Sequence, residues 1–183
     1  LCVDGEIITP QNVGAWRQQI AYMPQDVFLY DESIARNIAF GVAPESIDMD
    51  RVRWAAQLAD IDQFVERELP LGYETIVGER GVRLSGGERQ RIGLARAFYR
   101  KPKLFLLDEA TSALDAITQE NVLKSIEGLN SDITVVVVAH RLSSFRLCDE
   151  IYLVEQGQIV DSGPFEQLVA SNEKFRQMVA LTG

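Results

Sequence analysis

Two short, almost wholly apolar runs, residues 104–107 and 133–139, the second broken only by Thr134, do most to limit what this chain can fold into. A strand that is apolar at every position belongs in the covered middle of a parallel sheet, because both of its faces must be buried. Between the two runs, Val122, Ile126 and Leu129 recur at i, i+4 and i+7, which is the spacing of one helix face across residues 116–129. Strand, helix, strand in that order predicts a right-handed βαβ crossover and an α/β domain. With 183 residues, the chain is long enough for one sizeable core and short for two.

The remaining pattern is more mixed. Residues 3–9 read as a short strand about a turn at Asp4-Gly5, residues 12–18 as a short helix, and residues 20–23 as a strand stopped by Pro24. Residues 33–40 and 50–69 carry apolar side chains at helical spacing, the second through Val52, Ala55, Ala56, Ala59, Phe64 and Val65. Residues 70–82 form a loop punctuated by Gly72, Gly78 and Gly81. A helix is expected over 86–100, a hairpin around Gln156-Gly157 with arms 150–155 and 158–161, and two short helices after it. Little strand character occurs from 26 to 98, so that stretch reads as a helical insert.

Charge and cysteine content narrow the function classes. The formal net charge is −9, from 18 basic and 27 acidic residues. Phosphate-backbone binders carry the opposite excess, so nucleic acid is not an expected partner. Cys2 and Cys148 are far apart and form no CxxC pair, which argues against a disulfide scaffold or a zinc site and fits a reducing compartment. The longest apolar runs fall well short of the roughly 20 residues of a membrane-spanning helix.

Three constellations carry chemistry. Ser85-Gly86-Gly87-Glu88 opens a predicted helix; Ser-x-x-Glu is a capping box, and by itself that is a common structural device. The two glycines are poor helix formers, yet they leave backbone N–H groups bare at the positive end of a helix, where a phosphate can approach closely. The apolar strand 104–107 ends in Asp108-Glu109, which places two carboxylates at the carboxyl edge of the sheet. One can hold Mg²⁺ through its water shell while the next polarises an attacking water. His140, the only histidine, follows the strand 133–139, and Gln25 follows the strand 20–23, so both stand at strand ends of the same kind.

Together these residues resemble the ATP-binding cassette of ABC transporters. Gln25 is similar to the Q-loop glutamine, Leu84 to Glu88 to the ABC signature, Leu104 to Asp108 to the Walker B strand, Glu109 to the catalytic glutamate, Ser112 to Asp115 to the D-loop, and His140 to the H-loop histidine. Counting Glu109 with the Walker B strand, the five motifs come in the family's order and span nearly the whole chain. Val77-Gly78-Glu79-Arg80-Gly81, Phe28-Leu29-Tyr30 and Ser33-Ile34-x-x-Asn37-Ile38 resemble segments of exporter-type cassettes. The fold implied is a P-loop NTPase-type, mostly parallel sheet core with an inserted helical subdomain. Core residues would be 1–25 and 99–183, and residues 26–98 the helical signature subdomain.

The resemblance implies ATP and Mg²⁺ as ligands and a head-to-tail dimer with a second ABC cassette. Ser85, Gly86, Gly87 and Glu88 would then meet the ATP held by the partner cassette, and Asp115 would reach across the dimer. Asp108 and Gln25 would serve Mg²⁺ on the chain's own nucleotide. Glu109 would act as general base, and His140 would hold the γ-phosphate and the water in line. Phe28, Leu29, Tyr30 and Glu79 would meet the coupling helices of a transmembrane domain, placing the cassette on the cytoplasmic face of a plasma or inner membrane, coupled to export.

Two departures from the family pattern stand out. Glu88 replaces the more usual glutamine of the signature, a change that the capping box tolerates. A P-loop, GxxxxGK[ST], is absent: none of Lys101, Lys103, Lys124 and Lys174 follows a glycine. The expectation is an ATPase cassette, incomplete at its N-terminus and inactive as it stands; the alternatives are a degenerate, catalytically incompetent cassette or a non-transport ABC ATPase. The absence of a heptad run between Gln25 and Ser85 weighs against the last.

Overall fold

In the computed structural model of the protein, the described residues are 1–79, 82–108, 116–128, 133–138, 145–146 and 148–182. They fall into two compact units, Leu1–Val136 and Val137–Gly183.

The first unit opens with a two-strand hairpin, β1 (Cys2–Val3) and β2 (Glu6–Ile7). Its turn is the expected Asp4-Gly5, with φ of 50° and 83°, a left-handed pair that Asp and Gly adopt at low cost. A short helix, α1 (Val13–Gln18), leads into β3 (Ile20–Met23). β3 pairs in parallel with β4 (Leu104–Asp108), in register from Ile20↔Leu104 to Met23↔Leu107. β5 (Thr134–Val138) lies on the other side of β4, giving the order β3-β4-β5.

The covered-strand expectation holds for β4, whose Phe105 and Leu107 are buried. It does not hold for β5, an edge strand among the described residues, with Val136 47% and Val138 54% exposed. A β-branched run reports strand propensity; how deep the strand lies is decided by its neighbours.

Helices α2 (Ile34–Ile38), α3 (Met49–Leu58), α4 (Asp62–Glu68) and α5 (Gly86–Tyr99) follow β3 in the chain. Ile34, Ile38, Val52, Ala55, Ile92 and Leu94 are buried among α2, α3 and α5. Phe98 of α5 meets Phe105 of β4 edge-on at 5.4 Å between ring centroids, which fastens the helical layer to the sheet.

Residues 50–69 are not one helix. α3 stops at Ala59 because Asp60 turns left-handed, with φ 55°. The Asp60 N–H donates to Gln57 O at 3.0 Å and the Ile61 N–H to Ala56 O at 3.0 Å, the two closing bonds of a Schellman motif. Ile61, fully buried, then starts α4 in a new direction. After β4, α6 (Ala116–Glu127) leads to β5.

The second unit is built on the antiparallel hairpin β6 (Ile151–Glu155) and β7 (Gln158–Gly163), with Gln156 and Gly157 at positive φ in the turn. β7 runs two residues beyond the expected end at residue 161. Ile151 and Leu153 pack with Phe165 and Leu168 of α7 (Phe165–Ser171) and Phe175 of α8 (Glu173–Thr182). Asn172 joins the pieces: its Nδ2 donates to Asp161 Oδ2 at 2.7 Å and its Oδ1 accepts from the Phe175 N–H at 2.9 Å.

Candidate functional site

Because β3 and β4 are parallel, the residues after each strand emerge on one edge of the sheet. Asp108 ends β4 and is half-buried; Gln25 follows β3 by two residues and is exposed. The Tyr22 hydroxyl donates to Asp108 Oδ2 at 3.2 Å. That hydrogen bond, helped by desolvation and by the charge of Asp108, lifts the Tyr22 phenol above its ordinary range. Glu109, Ser112, Asp115 and His140 lie outside the described residues.

The turn bearing Gln25 rests against α5. Buried Gln90 donates from Nε2 to Gln25 O at 3.5 Å. One turn further on, Gly93 lets the helix come close: a Cβ there would stand 2.8 Å from Val27 Cγ2 and 2.9 Å from Met23 Sδ. An isolated glycine within a helical pattern signals such an approach, though only the fold shows what approaches.

At the start of α5 the expected capping box is formed. Ser85 Oγ accepts from the Glu88 N–H at 3.2 Å, and Glu88 Oε2 accepts from the Ser85 N–H at 2.7 Å. These bonds engage the amides at the cap and at the third helical position. The amides of Gly86 and Gly87, between them, have no protein acceptor among the described residues. Ser85 and Gly86 are exposed and Gly87 half-buried, so this positive helix end is open to an anion.

A groove of about 650 Å³ lies beside it, lined by Val27, Phe28 and Leu29 on one side, by Gly78, Glu79 and Val82 on the other, and by Arg83, Leu84 and Arg89. Its walls meet because residues 75–77 run beside 32–34: the Ile34 N–H donates to Thr75 O and the Val77 N–H to Glu32 O, both at 3.0 Å. Gly78, at φ 105°, closes against Asp31, and a Cβ there would come within 3.0 Å of the Asp31 backbone. Phe28, Leu29 and Glu79 are therefore brought to one groove, whereas Tyr30 stands outside its lining. Arg80 and Gly81 are outside the described residues.

Among the described residues, no cluster of three or more His, Cys, Asp or Glu side chains is placed to hold a metal ion. A strand-end carboxylate is nonetheless what Mg²⁺ uses when substrate phosphates and water complete its shell.

The family model described as ABC transporter matches residues 1–112. The chain belongs to the ABC transporter family. It is 42% identical over 175 residues to the Heterocyst differentiation ATP-binding protein HepA of Nostoc sp., a match that covers 96% of this chain and 28% of that protein. It is 39% identical over 181 residues to an ATP-dependent lipid A-core flippase of Methylococcus capsulatus, covering 99% and 30%. Among solved structures, a bacterial Atm1-family ABC exporter with ATP bound superposes with a TM-score of 0.85 at 37% identity, covering 92% of this chain and 29% of that one.

The chain thus spans under a third of the length of these ABC relatives. The superposition also supports the expected α/β class, with β3 and β4 as its parallel pair.

Tyr22, Gln90 and Gly93 were not among the site residues expected from the sequence. Each acts through a partner more than 60 positions away, which periodicity within a window cannot reveal.

Proposed function

We propose that this chain is part of the nucleotide-binding cassette of an ABC exporter, in which ATP hydrolysis by a head-to-tail cassette dimer drives transport. The observation that carries the reading is the open start of α5, where the capping box leaves the Gly86 and Gly87 amides for an anion. In this reading Ser85, Gly86, Gly87 and Glu88 face the γ-phosphate of ATP bound by the partner cassette. Residues 1–25 and 99–183 form the catalytic core, and residues 26–98 form the helical subdomain.

On the chain's own nucleotide, Asp108 and Gln25 would hold Mg²⁺, which would supply positive charge against the phosphate oxygens. Tyr22 engages one Asp108 oxygen and so limits how the carboxylate turns. Glu109 takes the proton from the attacking water, His140 keeps water and γ-phosphate in line, and Asp115 contacts the partner cassette. Phosphoryl transfer relies on positioning and charge stabilisation more than on covalent chemistry. The 183 residues contain no GxxxxGK[ST] segment, so the chain alone does not turn over ATP.

The groove between residues 27–29 and Glu79 receives a cytoplasmic coupling helix of a membrane domain. Apolar Val27, Phe28, Leu29 and Val82 and charged Glu79, Arg83 and Arg89 line it, offering both apolar and charged contacts to such a helix. No helix among the described residues is long and apolar enough to cross a membrane. On this reading the cassette lies at the cytoplasmic face, held there through that domain.

Two measurements test the reading. Mg-ATP turnover by the full-length protein should be abolished by Glu109→Gln; a full-length protein without turnover overturns the ATPase assignment. Turnover by the purified 183-residue chain that Glu109→Gln abolishes would overturn its inactivity when alone.

A further inference from the structure

Asn37 is a buried amide with every polar atom engaged. Its Oδ1 accepts from the Tyr30 N–H at 2.9 Å and from Arg96 Nη2 at 3.2 Å. Its Nδ2 donates to Tyr30 O at 3.0 Å, Ser33 O at 3.2 Å and Glu32 O at 3.3 Å. Arg96, on α5, donates from Nε to Asn37 O at 2.8 Å and from Nη2 to Phe28 O at 3.2 Å. These acceptors are carbonyl and amide oxygens, so the bonds leave the guanidinium its net charge. That charge sits over the Phe40 ring, 5.3 Å from its centroid. Phe40 stacks on Tyr30 at 4.7 Å, and Tyr30 meets Phe28 edge-on at 5.1 Å. Phe28, Tyr30 and Phe40 are 63%, 43% and 46% exposed, a contiguous aromatic surface that extends the groove at Phe28.

We propose that Asn37 and Arg96 form a clasp that fixes the shape of the Phe28–Tyr30–Phe40 surface and makes it one body with α5, so that a membrane-domain helix docking there bears directly on the helix that begins at Ser85. The proposal rests on the docking reading given above and adds the element that carries its effect. Without the clasp, residues 28–30 would keep their apolar groups and lose the bonds that set their path. With it, a push on Phe28 or Phe40 is passed to α5 through the half-buried Arg96 guanidinium, which holds Phe28 O, Asn37 O and Asn37 Oδ1 at once. Lysine cannot replace this arginine, since its ammonium lacks the planar fork that reaches Phe28 O, Asn37 O and Asn37 Oδ1 together. Asn37 and Arg96 are thus positioning residues; neither need touch nucleotide.

The test uses the full-length protein with its membrane domain and a cysteine at Glu79 whose crosslinking to that domain reports docking. Amide hydrogen exchange is followed at Tyr30 and across buried Ile92–Phe98. In the parent, crosslinking occurs. In Arg96→Lys, exchange at Tyr30 accelerates, protection of residues 92–98 is kept, and crosslinking yield falls about five-fold, the ratio that roughly 1 kcal/mol gives. Failure to crosslink in the parent removes the docking reading and the proposal with it. Crosslinking in the parent and equally in Arg96→Lys, with Tyr30 deprotected, overturns the clasp alone. If Arg96→Lys loses protection over residues 92–98, Asn37→Ala decides: it removes the side-chain bonds that hold Tyr30 and leaves every residue of α5 unchanged. A reduced yield supports the proposal, and an unchanged yield overturns it.

Discussion

The Tyr22 hydroxyl and Asp108 Oδ2 are joined at 3.2 Å across the neighbouring parallel strands β3 and β4. A carboxylate that accepts from a phenol favours the protonated phenol, which is why Tyr22 titrates above its ordinary value, with desolvation and the Asp108 charge adding to the effect. Replacing Asp108 with Asn removes the charge and weakens the acceptor. The Tyr22 titration should then move down towards that of an ordinary tyrosine, as read from ring ¹³Cζ shifts against pH. An identical titration in Asp108→Asn would show that the carboxylate does not hold the hydroxyl in solution.

Gly78 is fixed by sterics as well as by its backbone angle. At φ 105° an alanine is strained, and its Cβ would collide with Asp31 Oδ1 and meet the Asp31 N and Cα at 3.0 Å. Gly78→Ala should cost about 1–3 kcal/mol in urea denaturation, the range for a residue held in a disfavoured backbone region. Adding Asp31→Ala should recover only part of it, because the backbone contacts remain. Full recovery would assign the whole cost to the Asp31 side chain.

The cap of α5 separates two roles that meet at one turn. Ser85→Ala should destabilise by about 0.5–2 kcal/mol, the loss of one side-chain cap. Glu88→Gln should change stability by less than about 0.5 kcal/mol, since glutamine can also accept from the Ser85 N–H. Thermal or urea unfolding of the two variants side by side checks this. A larger loss from Glu88→Gln than from Ser85→Ala would mean that the glutamate charge, and not the hydrogen bond, holds the turn.

What could be read from the sequence was local. The Asp4-Gly5 turn, the Ser85-x-x-Glu88 box and the strand ending at Asp108 each lie within a few residues, and each is present. The break between α3 and α4 was hidden because Asp60, not glycine, takes the left-handed position. The edge placement of β5 was hidden because its valines look the same in either setting. The Asn37–Arg96 clasp joins residues 59 apart in sequence, and no periodicity points from one to the other. Asn37 was visible only as part of an exporter-like segment, and Arg96 only as a charge on a helix.

Tyr73 gives a pH-dependent test of the helical layer. It is buried, and its hydroxyl donates to Asp62, the first residue of α4. Burial foremost, then the Asp62 hydrogen bond, raises its pKa far above the ordinary 10. The folded state therefore holds the phenol proton more tightly than the unfolded chain does. Its contribution to stability is whole below about pH 10 and declines as pH rises further, because the unfolded chain loses the proton first. Tyr73→Phe removes this titration along with the Asp62 bond. The stability difference between parent and variant should be constant below pH 10 and shrink above it, as measured by urea midpoints from pH 8 to 11. A difference that stays constant across that range would mean that Tyr73 ionises alike in both states, and that its hydroxyl is not held by Asp62 in the folded protein.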